Sequence, residues 1–308
     1  MLILISLLSA IIPMFIYLLI LWWLDKYERE SFGLVLAHFM WGALGAVFFA
    51  ILGTMILSVP LYLIKGQTSG VMEFQTVLIA PLIEEFTKGI FLFVTALTRS
   101  YDNITDGLVY GGAIGLGFGM TENFMYFISY GHTMEQLFTL IALRTVFTGL
   151  VHCIATATFG VFIAIAKFSY KKRKLMFVFL GYVFAVSIHA FWNISVTLRA
   201  SIFFSALFMI FAITIFALIF IFSLSNERRI ILTELNEEVE QNYLSETFVN
   251  YVNNKIRKKA KTKLFESQFV KDAIILAFRK HQARYSESTD KMKYLGDVAL
   301  YREKLKGM

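Results

Sequence analysis

Glu84, Glu85 and Lys88 stand in a run, about residues 75–97, that is otherwise apolar enough to cross a bilayer. Ionisable groups at that depth are costly unless they pair or face a polar cavity, so they mark a functional site by default. Lys88 is four residues from Glu84 and three from Glu85 and can neutralise either carboxylate along one helix face. One pair needs one glutamate. The other lies about 100° round the helix and requires a partner of its own, and a desolvated carboxylate there is a candidate general base.

The partners must come from other spans. Residues 107–130 carry Gly107, Gly111, Gly115 and Gly119 at a strict spacing of four, a small-residue stripe that lets a second helix approach closely. One turn beyond it come Glu122 and Asn123. Arg144, Thr148, His152 and Thr156 repeat every four residues, giving the next span one polar face. His189 and Asn193 share a face on the span after that. At 1.5 Å per residue, Glu84, Glu122 and His189 lie about 12–14 Å below the outer ends of their spans, and so does His152 if Arg144 marks the outer interface. All can share one level. His38 has no such company and reads as structural, while His132 and His281 fall outside the spans and read as solvated.

Composition fixes the class. Hydrophobic residues make up 57% and charged residues 17% of 308, and the mean hydropathy is +0.66, values that no ordinary soluble domain shows. Seven apolar stretches long enough to span fall at 2–24, 33–58, 75–97, 107–130, 138–166, 176–197 and 202–224. The first lacks a basic leader and a small-residue cleavage site and ends in Trp22-Trp23, so it reads as a true span. The end of the second is uncertain beyond Pro60. The expected fold is an all-α polytopic bundle, residues 1–224, followed by a basic helical tail, residues 225–308. The single cysteine, Cys153, allows no disulfide within one chain.

Charge gives the orientation. Lys26, Arg29, Arg99, Lys167, Lys171, Lys172, Arg173 and Lys174 lie on one side, against Lys65 and Arg199 on the other. The positive-inside rule then puts the N-terminus outside and the tail in the cytoplasm. Residues 225–308 hold 17 Lys+Arg against 12 Asp+Glu, so +5 of the formal +7 belongs to the tail. Its run from Lys255 to Lys261 suits a solvated face or anionic lipid, and no motif points to nucleic acid. Ile230, Leu232, Leu235 and Val239, then Phe269, Ile274, Ile275 and Phe278, have helical spacing.

With Glu84-Glu85-Phe86-Thr87-Lys88, Asp106 to Gly111, Phe118-Gly119-Met120-Thr121-Glu122-Asn123, His152 after Arg144, and His189 with Asn193, residues 75–197 resemble the PrsW-type intramembrane proteases. A wider resemblance is to the CAAX-protease and bacteriocin-processing superfamily, from which the sequence departs by having Glu122 where that group has histidine. The resemblance implies a bacterial cell-membrane peptidase cutting a single-span membrane protein, such as an anti-sigma factor, near its outer membrane boundary.

Hydrolysis there needs an activated water and an oxyanion stabiliser. Glu84 or Glu85 is then the general base tuned by Lys88, and His189 and Asn193 hold the oxyanion. Glu122 and His152 orient the water, or Glu122, His152 and His189 bind Zn²⁺ with a water as fourth ligand. The helix motif His-Glu-x-x-His is absent, and no embedded serine stands beside the histidines for an acyl-enzyme route. Rival readings are a proton- or ion-coupled transporter, which would show related halves with broken helices, and a non-catalytic receptor or scaffold on a protease-like fold. No repeat is visible, and intact polar residues at every motif weigh against the scaffold.

Overall fold

Asn103 starts the helix against which the others pack. Its side chain accepts the Asp106 N–H while the Asp106 carboxylate accepts the Asn103 N–H, a reciprocal cap that satisfies two otherwise orphaned donors. A computed structural model describes residues 1–169, 171–197, 202–259, 268–286 and 288–306, the side chains of residues 171, 202, 257–259 and 288–290 excepted. Every regular element among these residues is helical. In chain order they are α1 (Leu2–Leu24), α2 (Phe32–Lys65), α3 (Ala80–Ala96), α4 (Ile104–Tyr130), α5 (Met134–Lys167), α6 (Lys171–Thr197), α7 (Ile202–Glu240), α8 (Glu246–Lys259), α9 (Gln268–Tyr285) and α10 (Ser288–Lys304). A short helix, Ser69–Phe74, leads into α3.

Of the seven expected spans, α1, α2, α5, α6 and α7 are long and apolar enough to cross a membrane. The three charges of α3 and the glycines of α4 lower their apolarity. Two boundaries moved furthest. α2 continues through Pro60 to Lys65 and stops at Gly66, whose φ of 73° is a conformation that glycine adopts without a Cβ penalty. α7 runs well past residue 224 to Glu240.

The glycine stripe works as a contact ladder. A Cβ on Gly107, Gly111 or Gly115 would strike the backbone of α5 at Gly160, Thr156 and His152 in turn, and one on Gly119 would lie 3.2 Å from the Gly149 Cα. α4 and α5 therefore run antiparallel at backbone contact. Gly117 meets the Phe39 carbonyl and Gly42 the Ile114 carbonyl in the same way, seating α2 on another face of α4.

Among the described residues, three short π-helical segments interrupt the helices, at Trp41–Ala46, Gln75–Ile79 and Arg144–Thr148. Such turns re-aim side chains and occur often at functional sites. α3 is fixed by side chains on its own carbonyls: Trp41 Nε1 donates to Thr87 O at 3.2 Å and the Tyr182 hydroxyl to Leu82 O at 2.8 Å. These anchors flank Glu84 and Glu85. His38 is structural, with Nδ1 2.8 Å from Leu34 O, Nε2 2.9 Å from the Thr95 hydroxyl, and its ring stacked on Tyr110.

The chain forms two compact units, residues 1–24, 30–167 and 171–219 in one, and residues 25–29, 168–170 and 220–308 in the other. The second has its own core, with Leu235, Phe248, Ile274, Phe278 and Val298 among its buried residues. On α9, a helix as the spacing predicts, the buried stripe includes Val270, Ala273, Ile274 and Ala277, and Phe269 is 44% exposed. Phe269 sits one residue, about 100°, off that stripe. His281, expected in solvent, is half-buried with Nδ1 3.3 Å from Glu234. Arg199 and the end of the Lys255–Lys261 run lie outside the described residues.

Candidate active site

Glu85 is sealed. Its side chain is fully buried, and it accepts hydrogen bonds from Lys88 Nζ at 2.8 Å and His189 Nδ1 at 3.0 Å on Oε1 and from the Thr156 hydroxyl at 2.9 Å on Oε2. Both oxygens are occupied from three helices, α3, α5 and α6. Glu84 is different. Its side chain keeps 14% exposure, and its buried Oε2 has no hydrogen-bond partner, lying 3.7 Å from Lys88 Nζ and 3.8 Å from His189 Nε2. The sequence left both glutamates equivalent. The structure distinguishes them, because Thr156 and His189 Nδ1 hydrogen-bond to Glu85, while His189 Nε2 lies 3.8 Å from Glu84.

The histidine tautomers follow from their neighbours. Lys88 Nζ, a donor only, sits 3.0 Å from His152 Nδ1, so that nitrogen accepts and Nε2 carries the proton. Nε2–H then donates to Glu122 Oε2 at 2.8 Å. His189 uses its Nδ1–H on Glu85 and keeps a lone pair on Nε2. The two rings meet edge to face with centroids 4.7 Å apart. Glu84, His152 and His189 each offer a ligand atom, and the three atoms lie within 4.8 Å of one another.

Glu122 is held from outside the cluster. Arg144 donates from NH2 to Glu122 Oε2 at 2.7 Å and from Nε to Asn123 Oδ1 at 3.0 Å, and its guanidinium lies 3.6 Å from the centroid of Tyr126. The Arg144–Thr148 π-turn leaves Arg144 and His152 both directed at Glu122. Asn193 donates to the Thr76 carbonyl, in the turn that precedes α3, at 2.9 Å. Lys88 is also covered by the Phe118 ring, 3.9 Å from its centroid.

The structure thus brings Glu84, Glu85, Lys88, Glu122, Asn123, His152 and His189 into one cluster, with Asn193 at its edge on Thr76. Its grouping of possible ligands differs from the expected Glu122, His152 and His189: Glu84 takes the place of Glu122, whose Oε2 serves Arg144 and His152. Thr156, Arg144 and Phe118 belong to the network although sequence reasoning gave them no role in the chemistry. For Thr156 and Arg144 the signal was their spacing of four from and around His152; for Phe118 it was only its place before Glu122. Three carboxylates face two permanent cations, Lys88 and Arg144, so the cluster has room for further positive charge.

The family profile described as "PrsW family intramembrane metalloprotease" matches residues 30–221. "Protease PrsW" of Bacillus subtilis (strain 168) is 27% identical over 189 residues, covering 61% of this chain and 81% of that protein. "Protease PrsW" of Oceanobacillus iheyensis is 31% identical over 183 residues, 57% of this chain and 77% of the relative. "Protease PrsW" of Clostridioides difficile (strain 630) is 23% identical over 188 residues, 60% and 76%. No solved structure matches the chain.

Proposed function

The chain belongs to the PrsW family of intramembrane metalloproteases and is a peptidase, and from that premise we propose that Glu84, His152 and His189 hold a Zn²⁺ ion with which it cuts a single-span membrane protein. The observation that carries this reading is the pairing behind the ligands. Each histidine gives one ring nitrogen to a carboxylate, His189 to Glu85 and His152 to Glu122, the arrangement usual around zinc-binding histidines; the other nitrogen of His189 faces Glu84, and that of His152 accepts from Lys88, a bond that a bound ion would replace. Two histidines and one glutamate are an accepted catalytic zinc set. The unbonded Glu84 Oε2 completes it.

When bound, the ion supplies Lewis acidity, bringing the pKa of a coordinated water to about 7. The rest is the work of this chain's residues. Glu85, fixed by Lys88 and Thr156, keeps the His189 lone pair turned toward Glu84. Glu122 keeps the His152 ring in place, and because its side chain is 19% exposed at the edge of a cavity, we assign it to orient the attacking water and take its proton. Lys88, which donates to His152 Nδ1 and Glu85, would keep its bond to Glu85 if His152 held the ion through Nδ1. Asn193 lines the same cavity and is the amide donor nearest to a peptide carbonyl entering there; His189 offers a lone pair rather than a proton and suits a ligand better than an oxyanion donor.

Orientation supports where the cut falls. The cavity lies at the ends of α4, α5, α6 and α7 that share a side with the N-terminus, and the bias of the loop charges supports an outer position for that side of a bacterial cell membrane. The substrate class is a single-span protein cut at its outer boundary, an anti-sigma factor being the example the family resemblance implies. We assign seven spans, with α4 enclosed by the others and α3 turning Phe86, Ile90, Phe93 and Val94 outward, and anionic lipid at the basic tail.

The test uses full-length protein in liposomes with single-span reporters whose outer juxtamembrane segment is randomised. Wild type is compared with Glu84→Gln, His152→Ala and His189→Ala, before and after chelation and return of Zn²⁺. Loss in each variant, and loss and recovery with Zn²⁺, is the expected result. Cleavage by Glu84→Gln at the wild-type rate overturns the site, and cleavage that survives chelation while Glu84→Gln is dead removes the ion and leaves Glu84 as the base.

A further inference from the structure

A cavity of about 390 Å³ opens beside the cluster, between α4, α5, α6 and the first turns of α7. Its polar floor includes Glu122, Arg144 and Asn193, and its walls are mainly apolar, with Leu143, Phe147, Trp192 and Val196 beside the hydroxyls of Thr148, Ser195 and Ser205. An apolar pocket with a few converging polar groups is the form of a ligand site, and this volume falls in the usual range of roughly 300–1,000 Å³. The deep wall is rigid. Phe147 and Trp192 stack with centroids 5.9 Å apart and planes at 26°, and Trp192, 7% exposed, packs with Val151 and Met209.

We infer that this cavity is the specificity subsite, receiving one large apolar side chain, aromatic or long aliphatic, from an extended stretch of substrate beside the bond to be cut. The inference rests on the peptidase reading above and deepens it. The cavity shares Glu122 and Asn193 with the candidate active site, so an occupant of the pocket is continuous with a peptide bond over the cluster. A lipid chain would fill the walls but leave the floor unmatched. An unwound peptide at membrane depth has the opposite need: its N–H and C=O groups require partners where water is scarce, and a carboxylate, a guanidinium and an amide provide both kinds. Apolar walls strip water from a charged side chain, and Arg144 is already paired with Glu122, so aspartate is disfavoured.

The probes are fluorescent decapeptides with a central Phe, Leu, Ala or Asp in a common serine–alanine background, bound to full-length Glu84→Gln protein in detergent and followed by anisotropy. The expected order is Phe and Leu at least tenfold tighter than Ala, with Asp weakest. Leu143→Trp, at a position 41% exposed and so tolerant of the change, fills the pocket and brings the Phe-to-Ala ratio to about one without lowering the unfolding temperature. Val196→Trp, 56% exposed, gives a second filling variant. Equal binding of all four peptides overturns the subsite whatever the fate of the peptidase. So does competition by phosphatidylglycerol bicelles that weakens every peptide alike while Leu143→Trp leaves the ratio unchanged, since that marks a lipid pocket. Discrimination lost in Leu143→Trp supports the subsite even if no reporter is cleaved, and in that case the chemistry fails and the pocket stands.

Discussion

Glu122 Oε2 lies 2.8 Å from His152 Nε2 and 2.7 Å from the Arg144 guanidinium, so one carboxylate oxygen ties a ring deep in the bundle to a cation at the cavity edge. A carboxylate behind a metal-binding histidine typically changes metal affinity 10–100-fold. Glu122→Ala is therefore expected to weaken zinc binding by about 10–100-fold while still binding one equivalent at saturation. On the proposed ligand set, Glu84→Gln and His189→Ala would each remove a ligand and are expected to bind no stoichiometric zinc. Titration against a competing chelator reads this without any substrate. Equal loss in Glu122→Ala and Glu84→Gln would make Glu122 a ligand and restore the set first expected from the sequence.

The ladder of glycines gives a prediction about stability. Any Cβ at Gly115 runs into the His152 backbone, which cannot yield without moving His152 itself. Gly115→Ala should cost about 1–3 kcal/mol, the usual range for overpacking, and lower both the unfolding temperature in detergent and zinc occupancy. Gly33→Ala is the control, because nothing lies within 4 Å of the added methyl. If both variants melt together with wild type, α4 and α5 are not in backbone contact.

The membership of this site was legible because helical periodicity is local. Glu84 with Lys88, His152 with Thr156 and the glycine stripe each follow from spacings of four, and composition alone gave the membrane class. The division of labour between Glu84 and Glu85 was not legible: both lie within reach of Lys88, and only Thr156 and His189, 71 and 104 residues away, decide between them. The exchange of Glu84 for Glu122 in the ligand group has the same origin, since Arg144 claims Glu122 through a π-turn that leaves no mark in hydrophobic pattern. Boundaries shifted where a rule was overridden, as at Pro60 inside α2, and helical spacing alone did not tell that Phe269 is exposed, because a one-residue shift of phase turns a helix face by about 100°.

Lys88 is fully buried, with its ammonium shared among Glu85, His152 and, at 3.7 Å, Glu84. Removing one member of a buried pair leaves an uncompensated charge and costs about 3–5 kcal/mol. Lys88→Met is expected to destabilise the protein by that order and to abolish cleavage. Adding Glu85→Gln removes the orphaned charge, so the double variant should regain most of the stability, measured by thermal unfolding in detergent, yet remain inactive because the amide no longer fixes His189 as the carboxylate does. A double variant no more stable than Lys88→Met would show that the ammonium acts on some group other than Glu85.

The tail is held by a second charge cluster. Glu234, Glu237 and Glu238 form one acidic edge of α7; Arg302 reaches Glu238 through two hydrogen bonds of 2.7 and 2.8 Å, and Lys280 reaches the same carboxylate at 2.8 Å. Glu238 has no side-chain exposure, whereas the Lys306–Glu303 pair is 75% and 73% exposed. Exposed pairs contribute little, but Glu238 without Arg302 keeps only one of its two cations. Arg302→Ala should accelerate hydrogen exchange of backbone amides in α9 and α10 by roughly tenfold, about 1.4 kcal/mol, and leave α4 protected. Lys306→Ala should change neither. Uniform acceleration in α4 as well as α10 would refute a separate core for the tail, and unchanged exchange in Arg302→Ala would mean that the apolar core around Ile274 and Phe278 suffices to hold it.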